Sequence, residues 1–415
     1  MKTLGLSVAV LLLSCSVAFC QSQYKVIYSF AGSPDGAFPV SELVADAAGN
    51  LYGTTESGGN DIGNCYPGCG TVFELSPAGG SWIETVLYSF CYDQICSDGS
   101  GPEAGLVLDA AGNLYGTAGR GGGGNCEFGC GTLFELSPPS SPGAEWTYTV
   151  LYQFCLAGGD NDCPDGANPF SRLTLDASGN LYGTTSAGGA GGPGTVFELS
   201  HGQNGWSEVV LYKFCAGGFP CPDGAAPMAG VTFDKQGNLY GTTRDGGTRS
   251  GNGVVYRLTH GQTKWHEIVL YAPTQPEGAT LLGATSFDSE GNLYSTYERR
   301  GGGSGLGGVF QLSRKYGGVE RSLYFDGPNG AGPVSGVLID PKTGYLYGTT
   351  SGYGYDNLGT VYQIAGRKLT VLHHFTSDED GISPQASLIE DAQGNLYGTA
   401  TGDAFHNGTV FEITP

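Results

Sequence analysis

A short string, Leu-Tyr-Gly-Thr or a near copy, returns seven times along 415 residues, with its tyrosine at Tyr52, Tyr115, Tyr182, Tyr240, Tyr294, Tyr347 and Tyr397. The fifth copy departs to "LYSTY" and the sixth is entered as "GYLYGTT". Self-similarity at a period of tens of residues marks a repeat architecture, in which each unit buries its apolar face against its neighbours. Three further strings travel with this one. "GTVFEL" from Gly70 follows it and degrades to "GVVYRL" from Gly253 and "GGVFQL" from Gly307. Next comes "WIETVLYSF" from Trp82, with other clear copies opening at Trp146, Trp206 and Trp265. The fourth, typified by "AGLVLDAAGN" from Ala104, precedes each Leu-Tyr-Gly-Thr.

Each string is a run of β-branched, aromatic and leucine residues bounded by Gly, Pro, Asn or Asp, which is the pattern of a strand. The Asp-Ala-Ala-Gly-Asn segments are hairpin turns, because Gly and Asn tolerate the positive φ that a tight turn needs. One unit is therefore four strands, and the tyrosines fall 50 to 67 residues apart. Four-stranded units of this size in series predict an all-β fold, a seven-bladed β-propeller. The chain also carries "YKVIYSF" from Tyr24 with no partners before it, and closes on "GTVFEITP" with no outer strand after it. A ring closes if the N-terminal strand completes the last blade, which removes an exposed sheet edge. The 74 glycines suit tight turns, and no window shows sustained helical periodicity.

Residues 1–20 read as a signal peptide: Lys2, an apolar run from Leu4 to Val17, then Ala18-Phe19-Cys20. Leu12-Leu13-Ser14 before Cys15 leaves lipidation of that cysteine as an alternative. Residues 21–415 then form one propeller domain, exported to the periplasm, the cell surface or the medium. No stretch is long and apolar enough for a transmembrane helix. Ten later cysteines fall into close pairs, Cys65/Cys69, Cys91/Cys96, Cys126/Cys130, Cys155/Cys163 and Cys215/Cys221. In an exported chain they read as disulfides, each stiffening a local loop; a thiolate metal site is the rival. The formal net charge of −21 argues against nucleic acid as a partner.

The combination of "GNLYGTT", "GTVFEL" and "VLYSF" with a following Asp-Gly resembles the tandem GloVer (Gloeo/Verruco) repeat of exported bacterial proteins, across nearly the whole chain after residue 20. The resemblance implies the fold and export and is silent on chemistry. A weaker likeness to kelch propellers lacks the copper ligands of kelch-type enzymes.

Adjacent strands of a blade are antiparallel. The loops after the second and fourth strands therefore share one face, and the tight turns share the other. The long loops and all five cysteine pairs fall on the first, the face on which binding is expected. Two constellations lie there. One is the Asp-Gly motif before each first strand: Asp35, Asp98, Asp165, Asp223, Asp326 and Asp380, with Glu277 as the variant. Such a ring is a candidate Ca²⁺ site, against the plainer reading that each Asp fixes its own turn. The other is a set of arginines in some blades only, Arg120, Arg244, Arg249, Arg299 and Arg300, suited to an acidic sugar or carboxylate but equally to balancing nearby acids. Tyr66, Phe128, Tyr353 and Tyr355 are candidate stacking residues, whereas the repeated tyrosines and tryptophans belong to blade packing.

No Gly-x-Ser-x-Gly or His-Glu-x-x-His motif occurs. The expected function is a non-catalytic extracellular binding or scaffold module for a glycan or a surface protein, acting as a monomer and needing no cofactor. The rival is a polysaccharide lyase or glycoside hydrolase, with paired carboxylates at the channel mouth about 5 to 10 Å apart.

Overall fold

A computed structural model describes the chain from Ser22 to Pro415, apart from residues 61–64, 66–67, 125, 142, 157–162, 190–191, 248–250, 275–279, 300–304, 315–317, 355, 378 and 403–405. It holds seven four-stranded antiparallel sheets and, among the described residues, no helix. Blade 1 runs Val44–Ala45, Leu51–Thr55, Thr71–Ala78 and Ser81–Ser89 from the axis outward, and blades 2 to 6 repeat this order. Blade 7 takes three strands from the C-terminus, and Gln23–Ser29 pairs with Thr409–Thr414 as its outer strand. The ring closes as expected, and the last blade has no free outer edge on Thr409–Thr414.

Each letter of the repeated string has a separate physical task. Leu51 is in the core. The Tyr52 hydroxyl reaches Asp46 of the preceding turn and Glu74 of the third strand, both at 3.2 Å. Gly53 makes room for the third-strand aromatic, since a Cβ there would lie 2.6 Å from Cζ of Phe73. Thr54 donates to Ala104 O of the next blade at 3.0 Å. Thr55 meets Thr71, the second letter of "GTVFEL", at 2.8 Å. The Thr54 bond recurs in every blade, as Thr117 to Ser171 O, Thr184 to Ala229 O, Thr242 to Gly283 O, Thr296 to Ser335 O and Thr349 to Ala386 O. Thr399 to Ser41 O, at 3.0 Å, then joins blade 7 to blade 1. These buried bonds fix each blade against the next, because leaving such groups unpaired costs about 1–3 kcal/mol each.

The first turn is equally regular. Asp46 Oδ1 accepts from the backbone of Ala48 and Asn50, and Oδ2 from the Asn50 side chain. The same set surrounds Asp109, Asp176, Asp234, Asp288 and Asp391. Partial burial of Asp46 works against ionisation, yet these donors hold the carboxyl below its ordinary range.

A bulge recurs in the outer strands. Val72 pairs with Tyr88 and Phe73 with Val86, which leaves Leu87 unpaired. The shift lets Tyr88 reach out of the sheet to the connection that follows. The tryptophans do the interblade packing expected of them: Trp82 lies edge-on to Tyr397, Trp146 to Tyr52 and Trp206 to Tyr115, with centroids 6.1, 6.1 and 6.2 Å apart.

Candidate functional site

On the loop-rich face the Asp-Gly residues are held by the turns they begin. Asp35 Oδ2 accepts from Ala31 N and the Tyr28 hydroxyl, and Oδ1 from Gly36 N. Asp98, Asp165 and Asp223 repeat the Oδ2 contacts with Tyr88, Tyr152 and Tyr212, the bulge-shifted tyrosines, at 2.7, 2.9 and 2.9 Å, while Oδ1 of Asp98 and of Asp165 is enclosed and meets no donor among the described residues. Asp326 exchanges bonds with Asn329, and Asp380 accepts from Thr376 N and Ser377 N. Every described member of the ring spends lone pairs on its own connection, the arrangement that an Asx turn predicts. Glu277 lies outside the described residues.

A second row of carboxyls, which sequence reasoning missed, faces three of these aspartates. Burial, then the charge of Asp165, raises the Glu208 carboxyl to about 8. Burial and Asp35 raise Glu84 to about 7, and burial and Asp223 raise Glu267 to about 7. A carboxyl that holds its proton beside a second carboxyl is a pattern of acid catalysis. Here it repeats in three blades, while Tyr24 and Tyr148 occupy the equivalent outer-strand position in two others, with hydroxyls on Asp380 O and Asp98 O. Repetition and replacement by Tyr fit blade packing better than a single catalytic centre. The legible signal was Trp-x-Glu in three copies of the third string.

The rim arginines are neutralised locally. Arg120 pairs with Glu103 at 3.1 Å and Glu56 at 3.7 Å. Arg244 grips Asp245 through Nε and Nη2 at 2.9 and 2.8 Å, and Arg299 meets Glu298 at 3.0 Å. Arg249, Arg300, Tyr66 and Tyr355 lie outside the described residues.

All five disulfides are present. The sulfurs of Cys65, Cys69, Cys91 and Cys96 lie within 4.8 Å of one another, as do those of Cys126, Cys130, Cys155 and Cys163. Both quartets are committed to S–S bonds, so they offer no thiolate to a metal. The loops so closed hold apolar side chains out in solvent: Ile95 is 76% exposed between Cys91 and Cys96, Phe128 68% between Cys126 and Cys130, and Phe219 94% between Cys215 and Cys221. Tyr92 and Leu156 are exposed beside them, and Tyr353 farther round the same face.

The central channel is crossed by an ion pair that the sequence did not suggest. Arg172 of blade 3 reaches Glu42 of blade 1 at 2.8 Å and Leu106 O at 3.3 Å. The equivalent positions of blades 2 and 4 are Gly105 and Gly230, which leave the space these side chains fill.

A cavity opens on the other face, that of the tight turns. It is a groove of about 920 Å³ at blades 4 to 6, with Phe233, Phe287 and Leu312 among its apolar lining and Lys235, Arg257 and Arg314 among its cations. It forms where the tryptophan wedge is missing. Trp265 packs into the cluster that contains Tyr182, but the outer strand of blade 5 begins at Val319, so no tryptophan covers Tyr240.

Among solved structures, a putative 6-phosphogluconolactonase from Bacteroides uniformis is similar over 81% of this chain and 84% of its own, at 14% identity and a TM-score of 0.50. PorZ, a surface component of the type-IX secretion system of Porphyromonas gingivalis, is similar over 93% of this chain and 47% of its own, at 15% identity and a TM-score of 0.50. Likeness at this identity establishes the propeller fold only. No curated protein matches the sequence. The Gloeobacter/Verrucomicrobia repeat matches residues 15–164, 147–280 and 248–415, and the chain belongs to that family.

Proposed function

We propose that this protein is a non-catalytic binding module, exported from the cell, that docks a protein partner through its loop-rich face. The observation that carries the reading is the placement of Ile95, Phe128 and Phe219, each exposed within a loop closed by a disulfide. Burying large apolar side chains would stabilise the free protein, so holding them in water on stiffened loops favours association. Ile95 and Leu156 are aliphatic and offer a sugar neither a ring to stack on nor a hydrogen bond, which favours a protein over a glycan. The disulfides support an oxidising compartment. Turn-bound aspartates and paired arginines weigh against the lyase or hydrolase alternative, which needs carboxylates free to act on substrate.

The test is binding of the labelled protein to intact cells of the source organism, before and after protease shaving. Binding that disappears on shaving and falls at least about tenfold in a Phe128→Ser/Phe219→Ser variant is expected, since central interface anchors are worth about 2 kcal/mol or more. Binding that survives shaving and is destroyed by periodate would move the reading to a glycan. Release of oligosaccharides from a polysaccharide panel would establish the enzyme instead.

A further inference from the structure

The seven units are not chemically equal on the turn face. At the third-strand position opposite the repeated tyrosine, blades 1, 2, 3 and 7 carry Glu74, Glu135, Glu198 and Glu412, whereas blade 4 carries Arg257, paired with Tyr240. Blades 5 and 6 have Gln311 and Gln363 there. In a chain with 18 basic residues and a net charge of −21, Lys235, Arg257, Arg314 and Lys342 all line the groove on the turn face at these blades. Its three acids, Asp234, Asp288 and Asp340, are tied to backbone N–H groups of their own turns. Arg257 Nε is enclosed and meets no acceptor among the described residues. Arg257 lines the groove, where its guanidinium can offer N–H groups to a ligand oxygen.

We propose that this groove is a second binding site, for an acidic oligosaccharide. The anionic substituent, a uronate carboxylate or a sulfate ester, sits on Arg257 and Arg314, and the sugar rings lie along the apolar lining that includes Phe233 and Phe287. The volume of about 920 Å³ suits a few sugar units, and cations over an aromatic and aliphatic floor match anionic rings with apolar faces. The missing tryptophan of blade 5 opens the space, and the Glu-to-Arg change supplies the charge. The site is on the face opposite the exposed disulfide loops, so it stands whether or not those loops bind a protein.

Titration calorimetry with tetragalacturonate, its methyl ester and a sulfated chondroitin tetrasaccharide tests the proposal. The expected result is salt-sensitive binding of one or both anionic sugars and at least about tenfold weaker binding of the ester. Which anionic sugar binds identifies the substituent. Arg257→Glu should weaken binding about tenfold or more while leaving the fold intact, because four other blades hold Glu in this register. Lys235→Ser/Arg314→Ser should weaken it similarly, and Arg120→Ala on the loop face should not change it. Equal binding of the ester, full binding by Arg257→Glu, or no binding of either anionic sugar would overturn the assignment. The cell-binding readout of the loop face is expected to be indifferent to Arg257→Glu, so the two proposals fail separately.

Discussion

At Gly183 a Cβ would sit 2.6 Å from Cζ of Phe197 and 2.9 Å from Cδ2 of Leu173, in a strand with no positive φ to complicate the argument. Gly183→Ala therefore tests packing alone. It is expected to destabilise the protein by about 1–3 kcal/mol, the usual cost of overpacking a filled core, read as a lower urea midpoint at unchanged slope. An unchanged midpoint would show that the ring moves aside freely. The recurrence of Leu-Tyr-Gly-Thr was visible in the sequence, and its strand character with it. The partner of each letter was not: that Thr54 bonds the next blade while Thr55 bonds its own depends on which side of a strand each residue faces in the closed ring. The Asp-Gly aspartates were legible as turn residues because a short polar side chain before Gly bonds locally wherever it occurs.

At the scale of strands and connections, the outer-strand glutamates feel the charge of the Asp-Gly connections. Glu208 on the outer strand of blade 3 keeps its proton up to about pH 8 because burial and then Asp165 oppose its charge. The unfolded chain releases that proton near 4.5, so the protonated form favours the fold and the contribution is lost as pH rises through about 8. His373 and His374 are half-buried with depressed values and act in the opposite sense, but only below about 6.5. Between pH 7 and 8.5 the melting temperature should therefore fall, and Glu208→Gln should flatten the decline. A rise over that interval, or a decline unaltered by Glu208→Gln, would contradict the carboxyl pairing. These pairs were illegible because Asp165 lies in the connection leading into blade 3 and Glu208 on that blade's outer strand, and only the folded blade brings them together. The groove was illegible for a related reason: its cause is a tryptophan absent from the start of a strand, and its consequence appears on the neighbouring blade.

Across the whole molecule, sevenfold regularity and its breakage divide the labour. The closed ring, the Thr-to-backbone bonds and the Asx turns repeat and carry the fold. Among the features that do not repeat all round are the disulfide loops, which run from blade 1 to the connection into blade 4, and the basic groove of blades 4 to 6, on opposite faces. The architecture and the disulfide pairs could be read from spacing, because cysteines four to eight residues apart have few other options. Of the exposed apolar side chains, Phe128 and Tyr353 could be placed on the rim from their loops, whereas Ile95, Leu156 and Phe219 could not, since a hydrophobic residue carries no mark of solvent exposure until its loop is folded. The disulfides close such short segments that they constrain loops far more than the ring. Reduction is therefore the most direct test of the claim that stiffened apolar loops make the binding face. The measurement is cell binding by the oxidised protein against the same protein reduced and alkylated, with far-UV circular dichroism on both. The account predicts that both spectra show the same β structure and that binding falls at least about tenfold on reduction. Equal binding by the reduced protein would contradict it.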